Sequence, residues 1–107
     1  MKAFFILFLV LLFNVTQAVT QAVTQTVTYS GVVTNEAKSE MIIGCVVYLK
    51  GDPSIATSTD VNGFYSLDIK SSKDTLVFSS VSFATREYSI TPSDKDVVLN
   101  VSLSIEE

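Results

Sequence analysis

From Val27 onward apolar and polar residues alternate with a period of two, and a turn signal interrupts the alternation roughly every 8–12 residues. That rhythm constrains the fold more than any other property of the chain. Val27, Tyr29, Gly31 and Val33 fall on one side of a first strand, with Thr28, Ser30 and Thr34 on the other. After the polar loop Asn35-Glu36-Ala37-Lys38-Ser39-Glu40, a second strand points Ile43, Cys45, Val47 and Leu49 one way and Val46, Tyr48 and Lys50 the other. Gly51-Asp52-Pro53-Ser54 reads as a turn, because glycine tolerates positive φ and proline cannot donate to a ladder.

A short strand over residues 55–59, near a sheet edge, leads into the turn Asp60-Val61-Asn62-Gly63 and a strand over 64–69 that aims Tyr65, Leu67 and Ile69 at the core. Leu76 and Phe78 anchor the next strand, and residues 85–90 form another. Thr91-Pro92-Ser93-Asp94-Lys95-Asp96 precedes a single last strand in which Val97, Leu99, Val101, Leu103 and Ile105 alternate. No segment repeats with a helical period. The pattern predicts an all-β, seven-stranded Greek-key β-sandwich.

With 107 residues the chain has room for one domain. Its formal charge is −4 and its lysines are scattered, so it lacks the basic stripe that nucleic acid or an anionic membrane surface requires. Cys45 is the only cysteine, which excludes an intramolecular disulfide, and its phase places it in the core as a small apolar residue.

Met1-Lys2 precedes an apolar run ending at Phe13, about the length of a secretory signal core and too short for the roughly 20 residues of a spanning helix. Small residues suited to cleavage stand at Ala18 and Ala22. Residues 1–18 are therefore expected to be a signal peptide, 19–26 a disordered leader carrying a Val-Thr-Gln echo, and 27–107 the folded domain. No membrane span is expected after cleavage.

Nothing in the sequence assembles a reaction centre. The absence of histidine excludes Ser-His-Asp and Cys-His nucleophile systems and His-containing zinc sites. Asp60 and Asp68 are the closest candidates for a catalytic carboxylate pair, but one lies in a turn and the other on an outward face, where neither is desolvated enough for acid catalysis. Asp60-Val61-Asn62-Gly63 has the look of a calcium loop's start, yet Phe64-Tyr65-Ser66-Leu67 supplies almost no further oxygen ligands. An Asn-Gly pair serving a hairpin turn explains it better. Asn100 is on the outward phase and the first strand has no lysine, which rules out an internal isopeptide bond. Catalytic, metal and cofactor-binding residues are accordingly expected to be absent. Tyr48, Phe64 and Phe83 are the candidate residues for a partner surface.

Taken in order, Gly31-Val32-Val33-Thr34, Ile43-Gly44-Cys45-Val46-Val47-Tyr48-Leu49-Lys50-Gly51, the run from Thr57 through Asn62-Gly63-Phe64-Tyr65-Ser66-Leu67, and Leu76-Val77-Phe78-Ser79-Ser80 resemble the carboxypeptidase-regulatory-like domain. The resemblance covers nearly everything from Thr28 onward and implies a prealbumin-like sandwich. Two positions depart from the family pattern. Ser82 precedes Phe83 where the family usually has glycine, and residues 36–40 replace a Gly-Pro-type turn.

Such domains stand behind metallocarboxypeptidase catalytic domains and at the front of TonB-dependent outer-membrane receptors. A signal peptide directly before the domain is similar to the receptor arrangement, although no barrel follows within this sequence. The resemblance thus implies a non-catalytic exported accessory domain, periplasmic or outer-membrane associated, whose partners are other envelope proteins. A surface carbohydrate- or peptide-binding module, or an accessory domain for a metallocarboxypeptidase on another chain, are the alternative readings.

Overall fold

The computed structural model describes residues 25–106; the expected signal peptide and nearly all of the expected leader lie outside them. Eight strands form two four-stranded sheets, with no helix among the described residues: β1 (Thr26–Asn35), β2 (Val46–Leu49), β3 (Asp52–Ser58), β4 (Phe64–Lys70), β5 (Asp74–Ser79), β6 (Arg86–Ile90), β7 (Val97–Val98) and β8 (Val101–Leu103). One sheet runs β4-β1-β7, with β8 also on β1, and the other runs β3-β2-β5-β6. Their inner faces close on Val27, Tyr29, Val33, Tyr65, Leu67, Ile69 and Leu103 from the first sheet and Val47, Leu49, Leu76 and Phe78 from the second. Alternation in β4 is complete, with Tyr65, Leu67 and Ile69 buried between exposed neighbours. Cys45 is fully buried in the same core. The turn expected over residues 51–54 is confined to Lys50 and Gly51, and Asp52, Pro53 and Ser54 belong to β3; that strand is a sheet edge, where proline's missing donor costs no ladder bond.

The last strand corrects the expected count of seven. β7 and β8 pair with β1 in parallel, and Tyr29↔Val97 and Val33↔Val101 keep one register, so a single extended segment is interrupted at Leu99 and Asn100. The Leu99 N–H still donates to the Ser30 carbonyl at 2.7 Å. Its carbonyl, however, turns inward and accepts from the Tyr65 hydroxyl at 2.6 Å. The Val32 N–H that would have met that carbonyl donates instead to the Asn100 side-chain oxygen at 2.9 Å. Gly31 makes this possible, since a Cβ there would lie 2.1 Å from the Leu99 oxygen. The ladder breaks because a tyrosine two strands away captures one of its acceptors.

The second correction concerns Ile43. It was expected to share the buried face of Cys45, but it is 62% exposed, and Ile42 is buried instead. Gly44 is the cause: with φ at 77° it breaks the alternation before β2 begins. Gly63, with φ at 74°, supplies the left-handed residue expected of the Asn62-Gly63 turn. The only other positive-φ residues described are Ser39 and Ser82, at 58° and 73°. Both fall where the sequence departs from the family pattern.

β1 enters the sandwich beside the turn after β4, where the Ser71 N–H donates to the Gln25 carbonyl at 2.8 Å. β8 runs parallel to it and finishes beside Asn35, where the Glu36 N–H donates to the Leu103 carbonyl. Residues 25 and 106 therefore lie toward opposite ends of the domain.

Candidate functional site

Three segments meet at the end where β8 finishes: residues 36–45, residues 80–85 and residues 104–106. Each is held by hydrogen bonds. Thr59, buried between the sheets, accepts the Cys45 N–H at 2.8 Å and donates to the Ile42 carbonyl at 2.6 Å through one hydroxyl. The Ile42 N–H donates to the Val33 carbonyl, and the Gly44 N–H to that of Thr59. The Ala84 N–H donates to the Ser104 carbonyl and the Glu106 N–H to that of Ser82, closing a bridge between Phe83 and Ile105.

These fixed loops present aliphatic side chains to solvent. Val81 is 89% exposed, Ile43 is 62% exposed, and Met41 and Ile105 are exposed beside them. A shallow depression of about 410 Å³ lies between the first two loops, lined by Met41, Ile43, Val81 and Phe83 among others. Glu40 is the sole charged residue of its lining. Singly exposed aliphatics are ordinary, whereas several converging on one end set it apart from the rest of the surface.

The aromatics singled out from the sequence are distributed over the domain. Phe83 belongs to this end, half-buried and packed against the core. Phe64 is 44% exposed on the outer face of the first sheet, opposite Val32. Tyr48 is half-buried on the outer face of the second sheet, opposite Val77. Val77 is outward-facing yet 2% exposed, because Tyr48 and Glu87 flank it and the Lys50–Glu87 ion pair at 3.3 Å bridges over β5. The Met41-Ile42-Ile43 run and the lone Val81 among serines are the sequence signals of the apolar end. A search confined to aromatic residues passes over both.

The Asp60 carboxylate is engaged by its own turn, accepting the Asn62 N–H at 2.9 Å and the Phe64 N–H at 3.0 Å through one oxygen. Among the described residues no three acidic, cysteine or histidine side chains are grouped to hold a metal ion. Burial pushes the Cys45 thiol and the Tyr29 and Tyr65 phenols above their ordinary ranges, so all three are neutral at physiological pH.

The model of the CarboxypepD_reg-like domain family matches residues 29–107. The chain belongs to that family. None of the curated proteins matches it. Among solved structures, this CarboxypepD_reg-like domain is similar to a chain of a type II cohesin–X-dockerin complex from Acetivibrio cellulolyticus, a C-terminal interface mutant, with a TM-score of 0.59 and 20% identity. The match covers 70% of this chain and 52% of that one. An N-terminal interface mutant of the same complex gives a TM-score of 0.56 at 22% identity, with the same coverage. The TIE protein of Bacillus anthracis gives 0.55 at 11% identity, covering 76% of this chain and 17% of that one. At these identities the likeness is one of fold. The chain spans about half the length of the cohesin–X-dockerin chains it matches.

Proposed function

We propose that this CarboxypepD_reg-like domain is a non-catalytic interaction module of the bacterial envelope, exported by its N-terminal segment and docking another envelope protein against its apolar end. The observation that carries the docking surface is the set Met41, Ile43, Val81 and Ile105, exposed on loops whose backbone bonds hold them in place. Rigid presentation matters, because surface already ordered before binding loses little conformational entropy on docking. The basic start and short apolar run at the N-terminus support export, and the resemblance to the front domains of TonB-dependent receptors supports a periplasmic or outer-membrane setting. The neighbouring fold in a cohesin–X-dockerin complex supports a role in protein assembly.

Photo-crosslinking in the source cells tests this reading. A benzophenone side chain at Val81 or Ile43 is expected to capture one defined envelope protein, and Val81→Asp is expected to abolish capture from Ile43. A probe at Val98, exposed on the first sheet's far strand, is the control. Equal capture from Val98, or none from the apolar end, sinks the proposal. Recovery of a metallopeptidase would assign the domain to the alternative role of peptidase accessory.

A further inference from the structure

A second concavity, separate from the apolar end, lies on the side where the edges β6 and β7 face each other across the gap between the sheets. Both ends of this gap are closed. At one, the Arg86 guanidinium donates to the Ser102 carbonyl at 2.6 Å. At the other, the turn over residues 91–96 is pinned: Ser71 Oγ donates to the Ser93 carbonyl while accepting the Ser93 N–H, both at 2.8 Å. The Thr28 N–H donates to Asp96 at 3.0 Å, and the Gln25 amide to the Asp94 carbonyl at 3.0 Å. Between these closures is an open, shallow slot of about 330 Å³.

Two tyrosines give the slot its chemistry. Tyr29 is only 5% exposed, its ring in the core, and it reaches the slot lining. Tyr88 lines the opposite wall, its ring held edge-on to Phe78 at 5.7 Å with the Arg86 guanidinium 5.3 Å from its centroid. Among the described residues neither hydroxyl is committed to a hydrogen bond within the protein, in contrast to Tyr65, which serves Leu99. Val97 and Leu99 form an aliphatic wall, and Ser89, Thr91 and Ser93 are also among the lining residues, the Ser93 hydroxyl being engaged with the Lys95 backbone.

No charged side chain is among the lining residues, and the Arg86 guanidinium beside Tyr88 is already bonded to the Ser102 carbonyl, so the lining itself offers hydroxyl and aliphatic groups. Hydroxyls both donate and accept, which suits a ligand whose own polar groups do the same at several points around a ring. We infer that the slot binds one uncharged sugar ring, its C–H face against Val97 and Leu99 and its hydroxyls bonded to Tyr29 and Tyr88.

The test uses the isotope-labelled full chain, followed by amide chemical shifts during titration with methyl glucoside, methyl galactoside, xylose and N-acetylglucosamine. At least one is expected to shift Ser89, Thr91 and Leu99 saturably. Tyr29→Phe, which removes an oxygen with no hydrogen-bond partner among the described residues and keeps the ring, is expected to weaken that binding roughly tenfold while leaving the spectrum folded. Glucuronate, the charged control, is expected to bind more weakly. Silence from all the neutral sugars overturns the inference, as does unchanged binding in Tyr29→Phe. Occupation by tyrosine amide in place of the sugars also overturns it, and assigns the slot to a peptide side chain.

Discussion

Tyr65 on β4 reaches across Gly31 of β1 to hydrogen-bond the Leu99 carbonyl at 2.6 Å, so one side chain ties together three strands of the first sheet. Tyr65→Phe leaves that half-buried carbonyl without its donor and is expected to cost about 1–3 kcal/mol. Gly31→Ala drives a methyl group into the same carbonyl and is expected to cost at least as much, since backbone must move to make room. Urea unfolding of both variants checks the order.

Asn100 stands in for the displaced backbone acceptor. Asn100→Ala is expected to destabilise by about 0.5–1.5 kcal/mol, water replacing part of the lost bond at this exposed site. Asn100→Asp keeps an oxygen in place. Amide hydrogen exchange at Val32 should therefore accelerate in the first variant and stay slow in the second.

Ser82 occupies the left-handed region at φ 73°, a conformation that costs an L-residue about 1–2 kcal/mol relative to glycine. Ser82→Gly is expected to raise stability by about 1 kcal/mol, while Ser82→Ala leaves the strain in place. Midpoints of thermal or urea unfolding separate the two outcomes.

Thr59 binds two backbone groups with one buried hydroxyl. Thr59→Val preserves the shape of the side chain but strands the Cys45 N–H and the Ile42 carbonyl, at about 1–3 kcal/mol for each group left unpaired. Because those bonds also seat Ile43, the same substitution is expected to weaken crosslinking from that position.

Cys45, Tyr29 and Tyr65 are acids that burial holds neutral. Their folded pKa values lie above the ordinary thiol and phenol values of 9.0 and 10.0, so the folded state retains protons that the unfolded chain releases. Stability from this source is complete below about pH 9 and is lost as pH rises past the unfolded values toward the folded ones. Urea midpoints measured from neutral into alkaline solution should fall in that window, and less steeply in Cys45→Ala. Native Cys45 should also resist thiol reagents until the domain opens.

The parts of this fold that were legible in the sequence are those decided locally. The alternation in residues 64–69 reports β4 because each side chain needs only the pleat to know its face. Asn62-Gly63 reports its turn by the same kind of local rule, whereas Pro53, read as part of a turn, lies in β3, because an edge strand tolerates a residue that cannot donate. The break in the last strand was not legible, since it depends on Gly31 and Tyr65, residues distant in sequence that the fold brings to Leu99. The inversion at Ile43 depends on one backbone angle at Gly44. The apolar end is assembled from residues 41–43, 81–83 and 105, none of which is conspicuous alone. Tyr29 and Tyr88 likewise look like ordinary core residues until the sheets place them on opposite walls of one slot.

The parallel pairing of β1 with β7 and β8, entered at one end and left at the other, fixes how the domain meets mechanical load. Tension applied at residues 25 and 106 slides the first and last strands past each other along their length. The hydrogen bonds between them, with the Asn100–Val32 bond among them, are then strained together in shear and must yield as a group. A hairpin pulled from its open end would instead lose its bonds one at a time. Pulled in this way, the domain resists extension more than such a hairpin would.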